Sequence, residues 1–259
     1  MHKVVSRDGT TIAYKKEGDG PPIVLLGGGF RDHTVFTPIV PYLTDRLTTY
    51  YYDRRGRGES GDAPVYAIER EIEDLIAVME EAGGEAAVFG GSSGAILALE
   101  AAMAGAPMTR LALLEPPYRM PGHQRPPADF AARLDELLAQ DRRGDAAELF
   151  LEQVAGLGPK EIATWRGSPM WTSNEALAHT LAYDTAICGD GRLPVERLAQ
   201  LRVPTLIVNS DSTSPWLLAA AEATADAIPN GRRVTLPGVW HRVPPEIIGP
   251  AIVDFVLET

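Results

Sequence analysis

A single cysteine, Cys188, serves the whole chain, so no intramolecular disulfide can form. CxxC pairs and the HExxH pattern are absent, and no zinc site is suggested. Basic excess is missing as well. The formal net charge of −11 argues against a nucleic-acid footprint and against attraction to anionic membranes. The opening Met-His-Lys-Val-Val-Ser lacks the apolar stretch of a secretory signal. No run approaches the roughly 18 to 20 apolar residues of a membrane span. The longest, from Ala95 to Ala106, is interrupted by Glu100 and Gly105. No internal repeat or low-complexity tract is present. These absences leave a soluble, cytoplasmic protein with no nucleic-acid or membrane partner as the expectation.

What is there suits one large α/β domain: 259 residues, 45% of them apolar. Val4 to Tyr14 reads as a hairpin turning at Asp8-Gly9. Ile23 to Leu26 is a short apolar run of the kind that makes a buried parallel strand, and it runs into Gly27-Gly28-Gly29-Phe30. A short helix is expected across Thr37 to Leu43, and a strand over Thr48 to Tyr52. In Tyr66 to Ala82 the residues Ile68, Ile72, Leu75, Ile76 and Met79 form one helical stripe. Ala86 to Phe89 is a strand, Ser93 to Ala104 a nearly all-apolar helix, and Leu111 to Leu114 the next strand. Alternation at this spacing predicts a parallel sheet covered on both faces.

Prolines at 116, 117, 121, 126 and 127 then break the alternation. Helical segments follow without strands: Ala128 to Leu138, Asp145 to Ala155 and Ser173 to Ala186. The sheet resumes at Thr205 to Val208. A helix from Trp216 to Ala227, a strand from Arg233 to Leu236 and a helix from Pro245 to Leu257 complete the chain. The expected division is a core of residues 1–117 and 201–259 with a helical cap at 118–200.

Gly90-Gly91-Ser92-Ser93-Gly94 fits G-x-S-x-G, and its setting gives the pattern weight. It lies between a short apolar strand and a buried helix, where a strained turn lifts a serine hydroxyl above the sheet. Ser92 is the expected nucleophile, because Gly90 directly follows the strand and Gly94 completes the tighter motif. The backbone N–H of Ser93 is then one oxyanion donor. The second is expected from the glycine loop, at Gly29, with Phe30 next in order. No phosphate-loop pattern occurs in that loop. Of five histidines, His241 follows the last strand, where α/β sheets place chemistry, and is the expected base. His33 is a pocket candidate, and His179 a packing residue on a cap helix.

The ordered set formed by the glycine loop, Asp53-Arg54-Arg55-Gly56-Arg57-Gly58-Glu59-Ser60, Gly90 to Gly94 and Leu236-Pro237-Gly238…His241 resembles the α/β-hydrolase superfamily over essentially the whole chain. The resemblance implies the α/β-hydrolase fold: a mostly parallel central sheet flanked by helices, with the cap inserted after the sixth strand. It also implies a Ser–acid–His triad in that order. Asp53 and its arginines correspond to a structural loop rather than to catalysts.

The acid departs from the common pattern. Most members place an aspartate after the strand equivalent to Thr205 to Val208, and here that position falls near Thr213. Asp211 lies about two residues early. Glu115, directly after Leu111 to Leu114, occupies the strand end used by a minority of the fold. The fungal zearalenone lactonases look similar in this respect. Glu115 is taken first and Asp211 as the alternative.

The expected chemistry is hydrolysis of a hydrophobic or aromatic ester or lactone through an acyl-enzyme, with no metal or organic cofactor. Serine at the elbow argues against the dehalogenases and epoxide hydrolases that resemble this fold, which use a carboxylate nucleophile. C–C hydrolases, perhydrolases and tailoring enzymes share the triad and remain open readings, as does a non-catalytic ligand receptor. Trp165, Met170, Trp171 and Tyr183 are the candidate pocket wall, the first three because they lie outside the expected helices. A monomer or homodimer is expected.

Overall fold

The computed structural model describes residues 1–258. Eight strands form one sheet in the order β1-β2-β4-β3-β5-β6-β7-β8. They are His2–Val5 (β1), Thr11–Glu17 (β2), Pro22–Leu26 (β3), Thr48–Tyr52 (β4), Ala86–Gly91 (β5), Met108–Leu114 (β6), Thr205–Ser210 (β7) and Gly231–Leu236 (β8). The two N-terminal strands pair antiparallel, and every later pairing from β4 to β8 is parallel.

Successive strand residues point to opposite faces, and both faces are dry. Val24, Leu26, Val88, Leu111 and Leu113 pack beneath α2 (Ile68–Glu81), α3 (Ser93–Met103) and α10 (Pro215–Ala227). Ile23, Leu25, Ala87, Phe89 and Ala112 pack against α1 (Val40–Leu43) and α11 (Pro245–Leu257). Fully burying each of the valine, leucine, isoleucine and phenylalanine side chains among these stabilises the fold by about 1.5–3 kcal/mol. None of the helices described is long and apolar enough to cross a membrane.

The register aligns the strands' carboxyl ends. Leu26 pairs with Gly90, Gly91 with Leu114, Leu114 with Val208, and Ser210 with Leu236. The segments beginning at Gly27, Ser92, Glu115, Asp211 and Pro237 therefore leave one edge of the sheet side by side.

Between β6 and β7 the chain is helical: α4 (Phe130–Ala139), α5 (Arg143–Gln153), α6 (Pro159–Arg166), α7 (Met170–Ala176), α8 (Leu181–Cys188) and the single turn α9 (Val195–Leu198). Two differences from the expected helices stand out. The single helix expected from Ser173 to Ala186 is instead α7, a 3₁₀ turn at Ala178–Thr180, and α8. There the Thr180 hydroxyl donates to the Leu177 carbonyl (2.8 Å), and the His179 ring meets the Gly56 carbonyl (2.9 Å). These local bonds compete with a continuous helix. Helix α6 lay unseen because Gly158-Pro159 reads as a break. Proline at the first helical position instead starts a helix, and Glu161 closes it by accepting the Gly158 N–H at 2.7 Å.

Candidate active site

β5 ends at Gly91 and α3 begins at Ser93, which leaves Ser92 alone at the turn with φ 57° and ψ −126°. That φ lies in the left-handed region that residues with a Cβ avoid. The turn is possible because its neighbours are bare. A Cβ on Gly94 would stand 2.7 Å from the Gly27 carbonyl oxygen, and one on Gly28 would stand 2.8 Å from Ser92 Cβ. The glycine loop is thus seated directly against Ser92. The Ser92 N–H donates to the Leu114 carbonyl at 2.9 Å, which ties the turn to β6.

Glu115 is the next residue after Leu114. Its side chain is fully buried, and its Oε2 lies 2.5 Å from His241 Nδ1. Its Oε1 accepts the Ser210 N–H at 2.9 Å, while its own N–H donates to Val208 at 3.0 Å. An ionised carboxylate only accepts, so the proton of this contact is assigned to Nδ1, which leaves the Nε2 lone pair free to take one. Among the described residues no hydrogen bond joins Ser92 Oγ to the ring. In uncomplexed enzymes such a contact often tightens only around substrate.

Asp211 stands elsewhere. It is exposed, and its Oδ1 accepts the Gly238 N–H (3.2 Å) and the Ser212 hydroxyl (3.1 Å). It therefore braces the loop that carries His241. The same loop is tied from Ser210 Oγ to the Trp240 carbonyl, and from the Trp240 N–H to Ser212 at 3.2 Å.

Backbone strain marks this edge of the sheet. Among the described residues five non-glycines have positive φ: Phe30 (57°), Ser92 (57°), Glu115 (47°), Asp141 (54°) and Trp240 (49°). All but Asp141 lie in the four loops just described. Each such residue costs about 1–3 kcal/mol, and persists only where its surroundings over-determine it.

Beneath the glycine loop lies a buried ionic network. Arg54 grips Glu71 with two bonds (2.7 and 2.6 Å) and reaches the Gly27 carbonyl at 3.2 Å. Arg57 donates to the Gly28 carbonyl at 2.6 Å. Both arginines converge on Asp184 of α8. Burial alone would make Arg54 less basic, but the charges of Glu71 and Asp184 outweigh it and hold the guanidinium well above its ordinary range. Asp32, His33 and Asp53 offer atoms within 4.8 Å of one another, a spacing a cation could use. The Asp53 carboxylate is already engaged, however, by the N–H groups of His33 (2.7 Å) and Glu59 (2.8 Å) and by the His33 ring (2.8 Å). Asp53 and its arginines thus build the loop, and His33 is bound to that loop.

The sequence matches the Alpha/beta hydrolase family over residues 23–246. The chain belongs to this family. A crystal structure of an alpha/beta hydrolase from Sphaerobacter thermophilus is 47% identical with a TM-score of 0.95, covering 98% of this chain and 99% of that one. RutD of Azorhizobium caulinodans, named for carbamate hydrolysis, is 28% identical over 94% of both chains. The 2-(acetamidomethylene)succinate hydrolase of Mesorhizobium japonicum is 27% identical over 95% of this chain and 91% of its own.

In this hydrolase the four aromatic and sulfur side chains taken as pocket wall have different surroundings. Trp165 lies within α6, and Met170 and Trp171 open α7, so none of the three lies outside a helix. Trp171 is buried in the inserted helices' own apolar core with Phe130, Leu134 and Leu149, and Trp165 packs against that cluster. Met170 is exposed. Tyr183 stacks on Tyr66 (4.2 Å between centroids) and donates to Asp62 at 2.7 Å, at the seam between α8 and the sheet domain. Phe30 is buried against Phe150 of α5, edge to face at 5.6 Å. Sequence reading passed over Asp184. Its signal was a lone acid in the apolar run Leu181-Ala182-Tyr183-Asp184-Thr185-Ala186-Ile187.

Proposed function

We propose that this family member is a serine hydrolase that cleaves a carboxylic ester or lactone of a hydrophobic or aromatic small molecule. Ser92 is the nucleophile, His241 the base and Glu115 the acid that orients it. The observation that carries this reading is the 2.5 Å contact between His241 Nδ1 and a fully buried Glu115 carboxylate, on the edge where Ser92 stands at φ 57°. The grouping of strained residues at that edge supports it.

His241 Nε2 takes the Ser92 proton as Oγ attacks the carbonyl carbon, and Glu115 stabilises the imidazolium that forms. The N–H of Ser93 and an N–H of the glycine loop, from Gly29 or Phe30, receive the developing oxyanion. The carbonyl re-forms as the alkoxide leaves with the proton from His241. Water activated by the same ring then hydrolyses the acyl-enzyme. The inserted helices act as the cap over this edge and set substrate choice.

A fluorophosphonate probe should label the wild-type protein and leave Ser92→Ala unlabelled. A panel of activated aryl esters, lactones and aryl carbamates then ranks substrate classes. The carbamates enter because RutD is named for that chemistry. An unlabelled wild type that turns over no member of the panel overturns the reading.

A further inference from the structure

Asp184 is 1% exposed and sits on α8, in the segment inserted between β6 and β7. Among the described residues its side chain's hydrogen-bond partners all come from the sheet domain. The Ser93 hydroxyl donates to Oδ1 at 2.7 Å, Arg54 Nη1 to Oδ1 at 2.9 Å, and Arg57 Nη2 to both oxygens at 3.0 Å. We propose that Asp184 is a positioning residue for the oxyanion hole, fixing Ser93 on one wall and, through Arg54 and Arg57, the glycine loop on the other.

The glycine-loop wall follows from peptide geometry. A trans peptide points its C=O and the next residue's N–H in opposite directions. Arg57 Nη1 holds the Gly28 carbonyl at 2.6 Å, so the Gly29 N–H is turned away from the network. Arg54 Nη1 does the same, through the Gly27 carbonyl at 3.2 Å, for the Gly28 N–H. On the other wall Ser93 opens α3, and its hydroxyl bond to Asp184 fixes the residue whose N–H follows the nucleophile.

Charge holds the assembly together. Arg54, Arg57, Asp184 and Glu71 are all buried, and two guanidinium charges meet two carboxylates. Burial would raise the Asp184 carboxyl, but Arg57, Arg54 and the Ser93 hydroxyl outweigh it and hold it below its ordinary range. Lifting α8 away would strand buried charges, so α8 is a fixed part of the site. One carboxylate thereby couples the seating of the cap to both oxyanion donors.

The inference rests on the serine-hydrolase reading, and the test separates the two. Wild type, Ser93→Ala and Asp184→Asn are compared as full-length proteins on an activated aryl ester, with an aryl trifluoromethyl ketone as transition-state mimic and the product acid as ground-state mimic. Ser93→Ala keeps its backbone N–H and loses only the tether. It should lower kcat about ten- to hundred-fold with KM within about twofold, and weaken the ketone by the same factor while leaving the acid unchanged. Asp184→Asn should lose at least as much per folded molecule. If it does not fold, Ser93→Ala decides alone. Wild-type kcat and ketone affinity in folded Ser93→Ala overturn the role of Asp184. So do equal losses of ketone and acid affinity. A wild type that takes no fluorophosphonate at Ser92 overturns the underlying reading instead.

Discussion

Glu115 and His241 lie 126 residues apart in sequence and 2.5 Å apart in space. The register of β6, β7 and β8 brings this about: Leu114 pairs with Val208 and Ser210 with Leu236, so the strands that precede Glu115, Asp211 and the His241 loop end within two residues of one another. Two carboxylates thus leave adjacent strands near one histidine. Only the Glu115 carboxylate is dry and faces the ring; the other braces Gly238.

Truncating the two acids should therefore have unequal effects. Glu115→Ala leaves the His241 tautomer unfixed and its imidazolium unpaired. It should lower kcat about 10³- to 10⁴-fold. Asp211→Asn should stay within about threefold, since an amide oxygen can still accept the Gly238 N–H. Steady-state kinetics on an aryl ester decides the matter, and the reverse ranking would move the acid to Asp211.

Much of the fold was legible in the sequence, for identifiable reasons. Thr48–Tyr52 matches its expected span because it is β-branched and aromatic, and Pro245–Leu257 because it is largely apolar and opens on proline. Gly90 and Gly94 carry meaning because backbone meets backbone there: a Cβ would stand 2.6 Å from the Gly94 carbonyl oxygen in the one case and 2.7 Å from the Gly27 carbonyl oxygen in the other. What stayed hidden is charge that points inward. Glu71 and Asp74 sit on the buried side of α2, and their burial depends on Arg54 and Arg55, contributed by a different loop. Asp184 finds Arg54 at a separation of 130 residues. Hydrophobic periodicity reports which face is apolar, but not which ions a distant segment will neutralise.

Close approach of the glycine loop to Ser92 gives a second expectation. A Cβ at position 28 would lie 2.8 Å from Ser92 Cβ and 2.9 Å from the Gly91 carbonyl oxygen. Backbone cannot yield there without moving the elbow. Gly28→Ala should lower kcat/KM by at least roughly a hundredfold through misplacement of the reacting groups. The far-ultraviolet circular dichroism should remain that of the wild type. A variant of wild-type activity would mean that the loop stands off Ser92.

Acid stability should carry the mark of Asp8. Burial pushes its carboxyl up, but the Thr10 N–H (2.9 Å), Arg55 (2.9 Å) and the Thr10 hydroxyl together outweigh this and lower it to about 2. A folded pKa below the unfolded value contributes stability at neutral pH, which is lost as pH falls from about 4 through 2. Asp8→Asn should cost about 1 kcal/mol at pH 7, with solvent screening limiting the effect. Its difference from wild type should shrink toward zero near pH 2. Urea denaturation at pH 7, 4 and 2.5 measures this, and a constant difference would show that Asp8 acts through the turn alone.

Trp171 tests what the inserted helices are built around. Its ring is 8% exposed, packs among apolar residues of α4 and α5, and carries the Arg166 guanidinium 5.4 Å above it. An indole so enclosed serves first as core. Trp171→Ala should cost about 3–5 kcal/mol by opening a cavity that the short helices around it cannot fill. Trp171→Phe, which keeps most of the volume, should cost clearly less. If the indole filled the core alone, kcat and KM measured well below the unfolding transition would change little in Trp171→Phe. A KM raised severalfold at unchanged stability would instead assign the ring to the substrate wall, and would mean that the apolar cluster opens to admit substrate.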